Sequence, residues 1–410
     1  MPEKHIVMKN CGIVNPNDIT TYLGRDGFKA FEKVTETMTQ REVIEQMKVS
    51  GLRGRGGAGF PCGLKWELAS KTAGEQKFVI CNADEGEVGT FKDRYLLEKD
   101  PFTLIEGIAI ASYAVGARQA CIYLREEYHY LLDRLKSAIS QAAERGFRDL
   151  PKIDIVEGAG AYICGEESAL MESIEGKRGE PRYRPPFPSR EGLFGKPTII
   201  NNVETLMNIP QIIHNGADWF SALGTDGSKG TKVFSVSGDV DQPGVYELVL
   251  GSELRELVVD LAKARSIQAV QVGGAAGRLI PEWMLNTRLS FENVLGSGAV
   301  TVLDQTRDII DVVYQNAQFF AEESCGKCAP CREGTEVMVE ILGRMVRGDG
   351  GIEDIEALED LSEVMKLSSL CGLGQSAPVT VVDSLAHFRN EYEIRIDQSV
   401  FLRSERVVSG

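Results

Sequence analysis

The sequence predicts an α/β protein in which a mostly parallel sheet is followed by a small β-rich unit and a helical C-terminal region. Three observations support this fold class. Short apolar runs alternate with amphipathic segments from residue 30 to about 215, two closely spaced β-type runs begin near 228, and helical periodicity dominates from 305 to 395. Strands that alternate with helices form parallel sheets with both faces covered. A chain of 410 residues also favours several domains.

In the first region, apolar runs at 77–82, 120–124 and 153–157 predict strands. Helical patterns cover 42–49, 101–117, 130–145 and 166–174, and Pro101 suits the first turn of its helix. The segment 176–200 holds five prolines and six basic residues. It is predicted to be a long ordered loop, because Phe187, Leu193 and Phe194 give it side chains to pack.

The second region contains β-type runs at 232–237, 244–250, 268–272 and 300–303. Ser252 is predicted to cap a helix that carries Leu254, Leu257, Val258 and Leu261 on one face. A hairpin, a helix and returning strands predict a β-grasp (ubiquitin-like) unit. Amphipathic runs at 309–320, 337–345, 355–365 and 379–388 then predict a helical bundle. The predicted domains are 1–225, 226–304 and 305–395, with a tail at 396–410.

Composition excludes some classes of function. The net charge of −15 disfavours nucleic-acid binding, which needs clustered Lys and Arg. No run of about 20 apolar residues is present, so no direct membrane insertion is expected. The N-terminus lacks an apolar signal region, and we therefore expect a cytoplasmic protein. In such a protein, nine cysteines indicate metal or redox chemistry rather than disulfides.

Four cysteines in the last quarter have the spacing of a cluster site. Cys325, Cys328 and Cys331 lie at i, i+3 and i+6, and Cys371 follows 40 positions after Cys331, directly before Gly372. A 4Fe–4S cube needs four thiolates, and a compact turn plus one distant loop can supply them. The alternatives are structural zinc, which usually pairs two Cys-x-x-Cys knuckles, and free thiols.

The loop GRGGAGF at 54–60 has the pattern G-x-G-x-x-G. The segment before it is helical rather than a strand, so the usual dinucleotide-fingerprint context is missing. Its unhindered amides can still bind phosphate, and Lys65 can add a positive charge. The alternative is a flexible turn.

Two more segments that follow predicted strands carry polar and glycine residues, and an asparagine pair closes the same region. Asn82, Asp84, Glu85 and Glu87 form an acidic loop. Gly158 to Glu167 forms a glycine-rich turn, and Asn201 and Asn202 follow later. Open α/β sheets place ligands at the carboxyl ends of their strands. These segments predict a pocket for a ligand with a phosphate, hydroxyl groups and a polar ring, although the acidic residues read singly also fit a solvated loop.

Together these motifs resemble one family. The chain resembles the NADH-binding flavoprotein subunit of respiratory complex I and the beta subunits of NAD-dependent hydrogenases and formate dehydrogenases. The matching segments are GLRGRGGAGFPCGLKW at 51–66, NADEGEVGTFKDR at 82–94, GAGAYICGEESAL at 158–170, GKPTIINNVET at 195–205, ESCGKCAPCREG at 323–334 and SLCGLG at 369–374. The resemblance covers nearly the whole chain. It implies a Rossmann-like FMN- and NADH-binding domain, a β-grasp domain and a helical bundle that carries a 4Fe–4S cluster.

The resemblance also implies residue roles. Gly54, Gly56, Gly57 and Lys65 would lie along the FMN phosphate and ribityl chain. Hydrogen bonds to FMN would come from Asn82, Asp84, Glu85, Gly165, Glu166, Asn201 and Asn202. Glu87 and Glu167 would contact NADH, and Phe60 and Phe187 would stack on its adenine. Cys325, Cys328, Cys331 and Cys371 would hold the cluster. Leu68 and Cys62 depart from residues frequent in the family.

The implied activity is an NADH dehydrogenase (diaphorase) reaction that passes electrons between NAD(H), FMN and the 4Fe–4S cluster. FMN is needed because a hydride carries two electrons and the cluster accepts one. Glu85 and Glu167 are the expected catalytic residues, since negative charge near the ring would lower the flavin potential. One cluster cannot serve a distant acceptor, so iron–sulfur partners are expected: a thioredoxin-like 2Fe–2S subunit and a larger multi-cluster or hydrogenase/formate dehydrogenase subunit.

The parent complex is left open by the sequence. A soluble NAD-dependent hydrogenase or formate dehydrogenase is favoured by Asn10-Cys11-Gly12 and by the GEV variant of the acidic loop. Respiratory complex I and an electron-bifurcating complex are the alternatives. The alternative outside enzymes is a zinc-stapled docking scaffold.

Overall fold

The structure, a computed structural model, describes residues 3–396. Four parallel strands form its first sheet, in the order β3-β2-β1-β4. These strands are β1 (Phe78–Ala83), β2 (Gln119–Leu124), β3 (Lys152–Glu157) and β4 (Thr198–Asn202). The parallel sheet predicted from the alternating pattern is therefore confirmed, with one more strand, β4, at the end of the proline-rich loop.

Helices of this region are α1 (Ile19–Leu23), α2 (Lys29–Thr37), α3 (Gln40–Val49), α4 (Cys62–Lys71), α5 (Lys92–Lys99), α6 (Pro101–Val115), α7 (Leu132–Glu144), α8 (Glu167–Ile174), α9 (Val203–Asn215) and α10 (Ala217–Ser221). Short 3₁₀ turns occur at Glu126–Leu131, Tyr162–Gly165 and Leu193–Gly195. Pro101 lies in the first turn of α6, and Asp100 caps that helix by accepting a hydrogen bond from Thr103 N.

The two faces of the parallel sheet are buried by different parts of the chain. Along β1, Val79 and Cys81 belong to a core formed with the helices of the first region. Phe78 and Ile80 point to the opposite face and belong to a second core that includes residues of the C-terminal helices. This alternation follows from the two-residue period of a strand. It also explains the uninterrupted apolar run, since both faces are covered.

A second sheet of five strands follows in the order β6-β5-β9-β7-β8. Its strands are β5 (Thr231–Gly238), β6 (Gly244–Val249), β7 (Ile267–Val272), β8 (Arg278–Pro281) and β9 (Ala299–Asp304). The pair β5–β6 is an antiparallel hairpin, as predicted, whereas β5 and β9 run parallel. A π-helical turn at Glu256–Leu261 and a 3₁₀ turn at Glu282–Met284 complete the unit.

The prediction that Ser252 caps the helix of this unit was wrong. Its carbonyl accepts a hydrogen bond from Leu289 N at 2.8 Å, and Glu253 forms a bridge with Arg288. The backbone is thus held extended at this point, and the helical turn begins later. The apolar face was correct, because Leu254, Leu257 and Val258 are all buried.

The C-terminal region consists of α11 (Ile309–Glu323), α12 (Ala329–Arg347), α13 (Ile352–Ser368), α14 (Gly372–Ser376) and α15 (Val379–His387). Helix α12 begins earlier than its apolar pattern predicted, because Pro330 fits the first turn and Cys328 serves as the N-cap residue. All but the first residue of the predicted tail, 396–410, lies outside the described residues. Within the described part of the chain, no helix has the length and hydropathy required to cross a membrane.

Close packing of α6 on α9 depends on Gly107, because a Cβ atom there would collide with the carbonyl oxygen of Leu206. Gly107→Ala is therefore expected to destabilise the protein by about 1–3 kcal/mol, although alanine is the better helix former. Urea unfolding would measure the loss. Gly343→Ala in α12 is the control, since its nearest neighbours are movable ends of Arg347 and Tyr314. Equal effects of the two substitutions would contradict the packing argument.

Candidate cofactor site at the carboxyl edge of the parallel sheet

Strand pairing brings the predicted polar segments to one edge. In the parallel register, Asn82 on β1 is opposite Asn202 on β4, and Ala83 is opposite Leu124 on β2. Leu124 in turn is opposite Glu157, the last residue of β3. The acidic loop, the glycine-rich turn after β3 and the asparagine pair therefore leave the sheet at the same edge, as expected for a ligand site in an open parallel sheet.

The glycine loop between α3 and α4 lies beside this edge. It is closed by hydrogen bonds from Gly54 N to Phe60 O at 2.9 Å and from Arg53 Nε to Gly59 O at 2.6 Å. A Cβ atom at Gly56 would lie 3.0 Å from Asn202 Cβ, and Gly57 has a φ of +127°. Among the described residues, the amides of Gly56 and Gly57 have no protein acceptor. The loop therefore offers free donors for an anion such as a phosphate.

A buried carboxylate oxygen without a partner faces the same region. Asn82 Nδ2 donates to Gly165 O at 2.9 Å, and Asn82 Oδ1 accepts from Asp84 N at 3.0 Å. Asp84 Oδ2 is buried and has no hydrogen-bond partner within the described chain; it is 3.8 Å from where a Cβ atom at Gly165 would be. Burial raises the pKa of Asp84 to about 7, although Arg125 opposes the shift. A ligand hydroxyl or ring N–H would satisfy this oxygen.

Glu85 is oriented by the protein itself. Its carboxylate accepts hydrogen bonds from Asp93 N at 2.8 Å, Arg94 N at 3.0 Å and the Tyr128 hydroxyl at 2.9 Å. Burial, together with the negative charge of Asp93, raises the pKa of Glu85 to about 7. Its carboxyl group is thus held in a fixed position at the N-terminus of α5, beside the acidic loop.

Lys65 of α4 contacts α8, β4 and the glycine loop. Its Nζ is 3.1 Å from Glu167 Oε2 and 3.1 Å from Ile200 O, and 5.8 Å from the centre of the Phe60 ring. Burial would raise the pKa of Glu167, but Lys65 and Arg184 outweigh it and the pKa is lowered. Glu167 is therefore a fixed negative charge, in contrast to Asp84 and Glu85.

Glu166 and the two asparagines have more restricted environments. Glu166 caps α8 by accepting from Ser168 N and Ala169 N, both at 2.9 Å, and it also pairs with Arg184. Asn202 Nδ2 donates to Asp93 Oδ2 at 2.7 Å. The Asn201 side chain points away from Asn202 into the core, where it accepts from Trp66 Nε1 at 2.9 Å.

Glu87 connects the acidic loop with the five-stranded unit. It accepts from the Tyr162 hydroxyl at 2.8 Å and from Ala276 N at 3.2 Å. Burial raises its pKa to about 7, and these hydrogen bonds oppose the shift. The same Tyr162 ring packs against Phe319 of α11 with the ring centres 5.1 Å apart.

The aromatic residues expected to stack on adenine remain accessible. Phe60 is 44% exposed and Phe187 is 56% exposed. Arg184, three residues before Phe187, pairs with Glu166 and lies 3.4 Å from Glu167, which ties the proline-rich loop to the pocket.

Cys62, at the start of α4, is a packed thiol. Burial raises its pKa to about 12, which disfavours the reactive thiolate.

All four predicted cluster cysteines line one pocket, together with Ile163, Pro181, Ser324, Lys327, Leu370 and Leu373. Cys328 and Cys331 begin α12, and Cys371 precedes α14. Burial raises the pKa of the Cys371 thiol to about 11. The amides of Leu373 and Gly374 donate hydrogen bonds to Cys371 Sγ, and these bonds lower the pKa and so oppose the effect of burial. Amide donors of this kind stabilise a cluster-bound thiolate.

The four thiols share one pocket, and they are its only Cys side chains among the described residues. A 4Fe–4S cube needs four thiolates around it, because each one binds a different iron. The donor set therefore fits a 4Fe–4S cluster.

One short segment joins the two sites. The turn Tyr162–Gly165 carries Gly165, which lies beside Asp84, and Ile163, which lines the cysteine pocket. Tyr162 N donates to Glu323 Oε2 at 2.9 Å at the end of α11. Tyr162 and Arg184 had no role assigned from the sequence. Their positions in the glycine-rich turn and in the basic loop are the only sequence signals that single them out.

Two family profiles match the chain: the Nuo51 FMN-binding domain over residues 47–211 and the NADH-ubiquinone oxidoreductase-F iron-sulfur binding region over residues 311–395. Among curated relatives, the HndC subunit of the NADP-reducing hydrogenase of Solidesulfovibrio fructosivorans is 43% identical, over 96% of this chain and 83% of its own length. The F 2 subunit of the NADH-quinone oxidoreductase of Rhizobium meliloti is 42% identical, over 96% and 98%.

The chain belongs to the family of NADH-binding flavoprotein subunits of complex I and NAD-dependent hydrogenases.

A solved structure supports this assignment. The crystal structure of an NAD⁺-reducing [NiFe]-hydrogenase in the H₂-reduced state matches with a TM-score of 0.88 and 42% identity, covering 96% of this chain and 67% of that chain. The chain is thus an oxidoreductase subunit whose cofactors are FMN and a 4Fe–4S cluster. The first matched region contains the glycine loop and the acidic loop, and the second contains all four cysteines.

The raised pKa of Glu87 predicts an unusual pH dependence. In the folded protein its pKa is about 7, above the ordinary value of 4.5, so the folded state holds its proton longer than the unfolded state. This contribution to stability is present at low pH and is lost as the pH rises through 7. Glu87→Gln, which resembles the protonated form, should stabilise the FMN-free protein by up to about 3 kcal/mol at pH 8 and by little at pH 5.

Urea unfolding at the two pH values would measure this difference. Glu359→Gln is the control, because Glu359 forms an exposed pair with Arg389. A Glu87→Gln effect that does not change with pH would contradict the argument.

Proposed function

We propose that this protein oxidises NADH, or reduces NAD⁺, at an FMN and exchanges single electrons through its 4Fe–4S cluster with iron–sulfur partner subunits. The observation that carries the proposal is the turn Tyr162–Gly165, which contributes Gly165 to the polar pocket and Ile163 to the cysteine pocket. The two cofactors would then lie on either side of one short segment. When bound, FMN would accept the two electrons of a hydride and release them one at a time.

The chain's own residues would bind and orient the flavin. The free amides of Gly56 and Gly57, with Gly54 and Lys65, would hold the phosphate and ribityl chain. Asp84 Oδ2, the buried oxygen without a partner, would accept a hydrogen bond from the cofactor. Asn82, Gly165, Glu166, Asn201 and Asn202 would complete the surroundings. For Asn201 a backbone contact is the better proposal, since its side chain bonds Trp66.

Glu85 and Glu167 are the proposed catalytic residues, and they would act through charge. Glu167 keeps its negative charge because Lys65 and Arg184 lower its pKa. Glu85 is held in place by three donors. A fixed negative charge near the ring makes it harder to add electrons there, and would lower the flavin potential. Glu87 would contact the nicotinamide or its ribose.

The domain limits 1–225, 226–304 and 305–395 are part of the proposal, and they agree with the position of the two sheets and the C-terminal helices. The five-stranded unit is proposed to be a β-grasp fold, on the basis of its leading hairpin, intervening helical turn and parallel β5–β9 pair. Cytoplasmic location is supported by the nine cysteines, none of which forms a disulfide.

For the parent complex we propose a soluble NAD-dependent hydrogenase or formate dehydrogenase, with complex I and an electron-bifurcating complex as alternatives. Relatives named as subunits of a hydrogenase and of NADH-quinone oxidoreductase have nearly equal identity, 43% and 42%. Their names describe subunits of assemblies, which supports partner subunits here. The proposed partners are a thioredoxin-like 2Fe–2S subunit and a larger multi-cluster subunit.

The central experiment is spectroscopic. The purified protein should show flavin and iron–sulfur absorption that NADH bleaches anaerobically, and a reduced-cluster EPR signal should appear with a low-potential reductant. Cys371→Ser should remove or alter that signal while flavin content and the NADH-bleached flavin band persist. Cys121→Ser, a substitution in β2 outside the cysteine pocket, is the control. A colourless protein that contains zinc would instead support the docking scaffold.

Adenine stacking can be tested through the exposed aromatics. Phe60→Ala and Phe187→Ala should each raise the KM for NADH about fivefold with little change in kcat, because each removes a stacking contact worth about 1 kcal/mol. Phe194→Ala is the matched control, since Phe194 is 59% exposed but has no proposed role. Steady-state kinetics with an artificial one-electron acceptor would measure the effect. An unchanged KM in both variants would contradict the stacking assignment.

A further inference from the structure

The five-stranded unit anchors segments of the polar pocket. The glycine loop is held through Arg55, whose buried guanidinium donates from Nε to Thr231 O at 3.0 Å and from Nη2 to Lys229 O at 2.6 Å. Thr231 is the first residue of β5. The segment predicted to bind phosphate is therefore positioned by backbone carbonyls of the neighbouring unit.

The acidic loop is attached to the same unit. Phe91 N donates to Ser235 Oγ on β5 at 2.9 Å, and the hydroxyls of Thr90 and Ser297 are 3.0 Å apart. This second attachment lies near the first, because Ser297 N is 4.0 Å from where a Cβ atom at Gly57 would be. Both cofactor segments thus rest on one surface of the five-stranded unit.

A buried chain of four charges leads from this unit to Asn202. Lys232 Nζ on β5 is 2.5 Å from Glu204 Oε2, and Glu204 Oε2 is 2.9 Å from Lys92 Nζ. Lys92 Nζ is 2.7 Å from Asp93 Oδ1, and Asp93 Oδ2 accepts from Asn202 Nδ2 at 2.7 Å. The chain closes on itself, because Glu204 N donates to Asn202 Oδ1 at 3.0 Å. Both ends of the Asn202 amide are therefore fixed.

All four charged side chains are at most 4% exposed. Two are positive and two are negative, so the ionised chain is neutral. Buried ion pairs contribute little net stability, because desolvation offsets their attraction. Net stability therefore does not explain four buried charges in contact. Their contact with Asn202 indicates a different role, which is to orient the Asn202 amide. Two further charges act on this group of four. Arg55 helps to lower the pKa of Glu204, and Glu85 helps to raise the pKa of Lys92.

We propose that Asp93 and Lys232 are positioning residues of the flavin site. Asp93 orients the Asn202 amide. Lys232, on the five-stranded unit, fixes the positions of Glu204, Lys92 and Asp93 through the chain of ion pairs. This inference rests on the proposed FMN binding at Asn202. The five-stranded unit then takes part in the reaction without contributing a charged group to the pocket itself. Its strand β5 sets the geometry and the local charge of the flavin surroundings.

The charges predict the direction in which each substitution should shift the flavin reduction potential. Lys232→Met leaves a net negative charge behind the flavin, so the flavin reduction potential should become more negative. Asp93→Asn leaves a net positive charge, so the potential should become more positive. Both variants should also weaken FMN binding about tenfold, because the Asn202 amide loses its fixed orientation. The potentials are measured in the holoprotein by spectroelectrochemistry at pH 6, below the pKa of about 7 to which burial lowers Lys232.

Glu106→Gln is the matched control. Glu106 is an equally buried carboxylate that accepts from Phe28 N and Phe31 N in the helical core of the first region, and the four-charge chain does not include it. It should leave the flavin potential unchanged. The cluster EPR signal should be the same in all variants, since none touches the cysteine pocket.

Shifts of the same sign, or no shift, in Lys232→Met and Asp93→Asn would overturn the inference. If Lys232→Met does not fold, the double variant Glu204→Gln with Lys232→Met removes both charges of one pair and should fold. Its FMN dissociation constant should still be raised, and a value equal to that of the unmodified protein would also overturn the inference. A wild-type chain that binds no FMN would refute the proposed function itself, which is a distinguishable result.

Discussion

The parallel pairing of β1 with β2 and β4 is the constraint on which the site depends. Parallel strands end at the same edge of a sheet, and the register sets Asn82 opposite Asn202. The acidic loop, the glycine-rich turn and the start of α9 must then meet at that edge. The glycine loop comes from outside the sheet, and it joins them because Gly56 has no side chain to keep it from Asn202.

The carboxylates around this edge are divided into two electrostatic types. Asp84, Glu85 and Glu87 are desolvated, and burial raises the pKa of each to about 7. Glu167 is paired with Lys65 and keeps a lowered pKa. A pocket that combines a carboxylate of lowered pKa with several that can gain a proton near neutrality can adjust to a ligand whose own charge changes on reduction. This arrangement suits flavin chemistry better than a solvated acidic loop.

The cysteine pocket is attached through packing to the polar pocket at the sheet edge. The face of the parallel sheet that carries Phe78 and Ile80 shares a core with the C-terminal helices. Tyr162 adds a hydrogen bond to Glu87 and ring contacts with Phe319 and Phe320. A shared core of this kind fixes the separation of two sites more firmly than a linker, which matters because electron transfer depends steeply on distance.

The local pattern of the sequence determined the elements and the chemistry of the donors. The alternation of strand and helix patterns predicted the parallel sheet, the spacing of the cysteines predicted the four thiol ligands, and the glycine pattern predicted the loop. Each of these signals depends only on residue types and their order along the chain. The extended backbone at Ser252 was decided by a contact with the distant residue Leu289. The early start of α12 has a local cause, Pro330 in its first turn. Side-chain orientation was likewise a tertiary result: adjacent residues Asn201 and Asn202 point to opposite sides, one to Trp66 and the other to Asp93. In the sequence, Lys92, Glu204 and Lys232 have the character of ordinary surface residues. Only folding brings them together, and their attraction is stronger there than in solution because water is excluded.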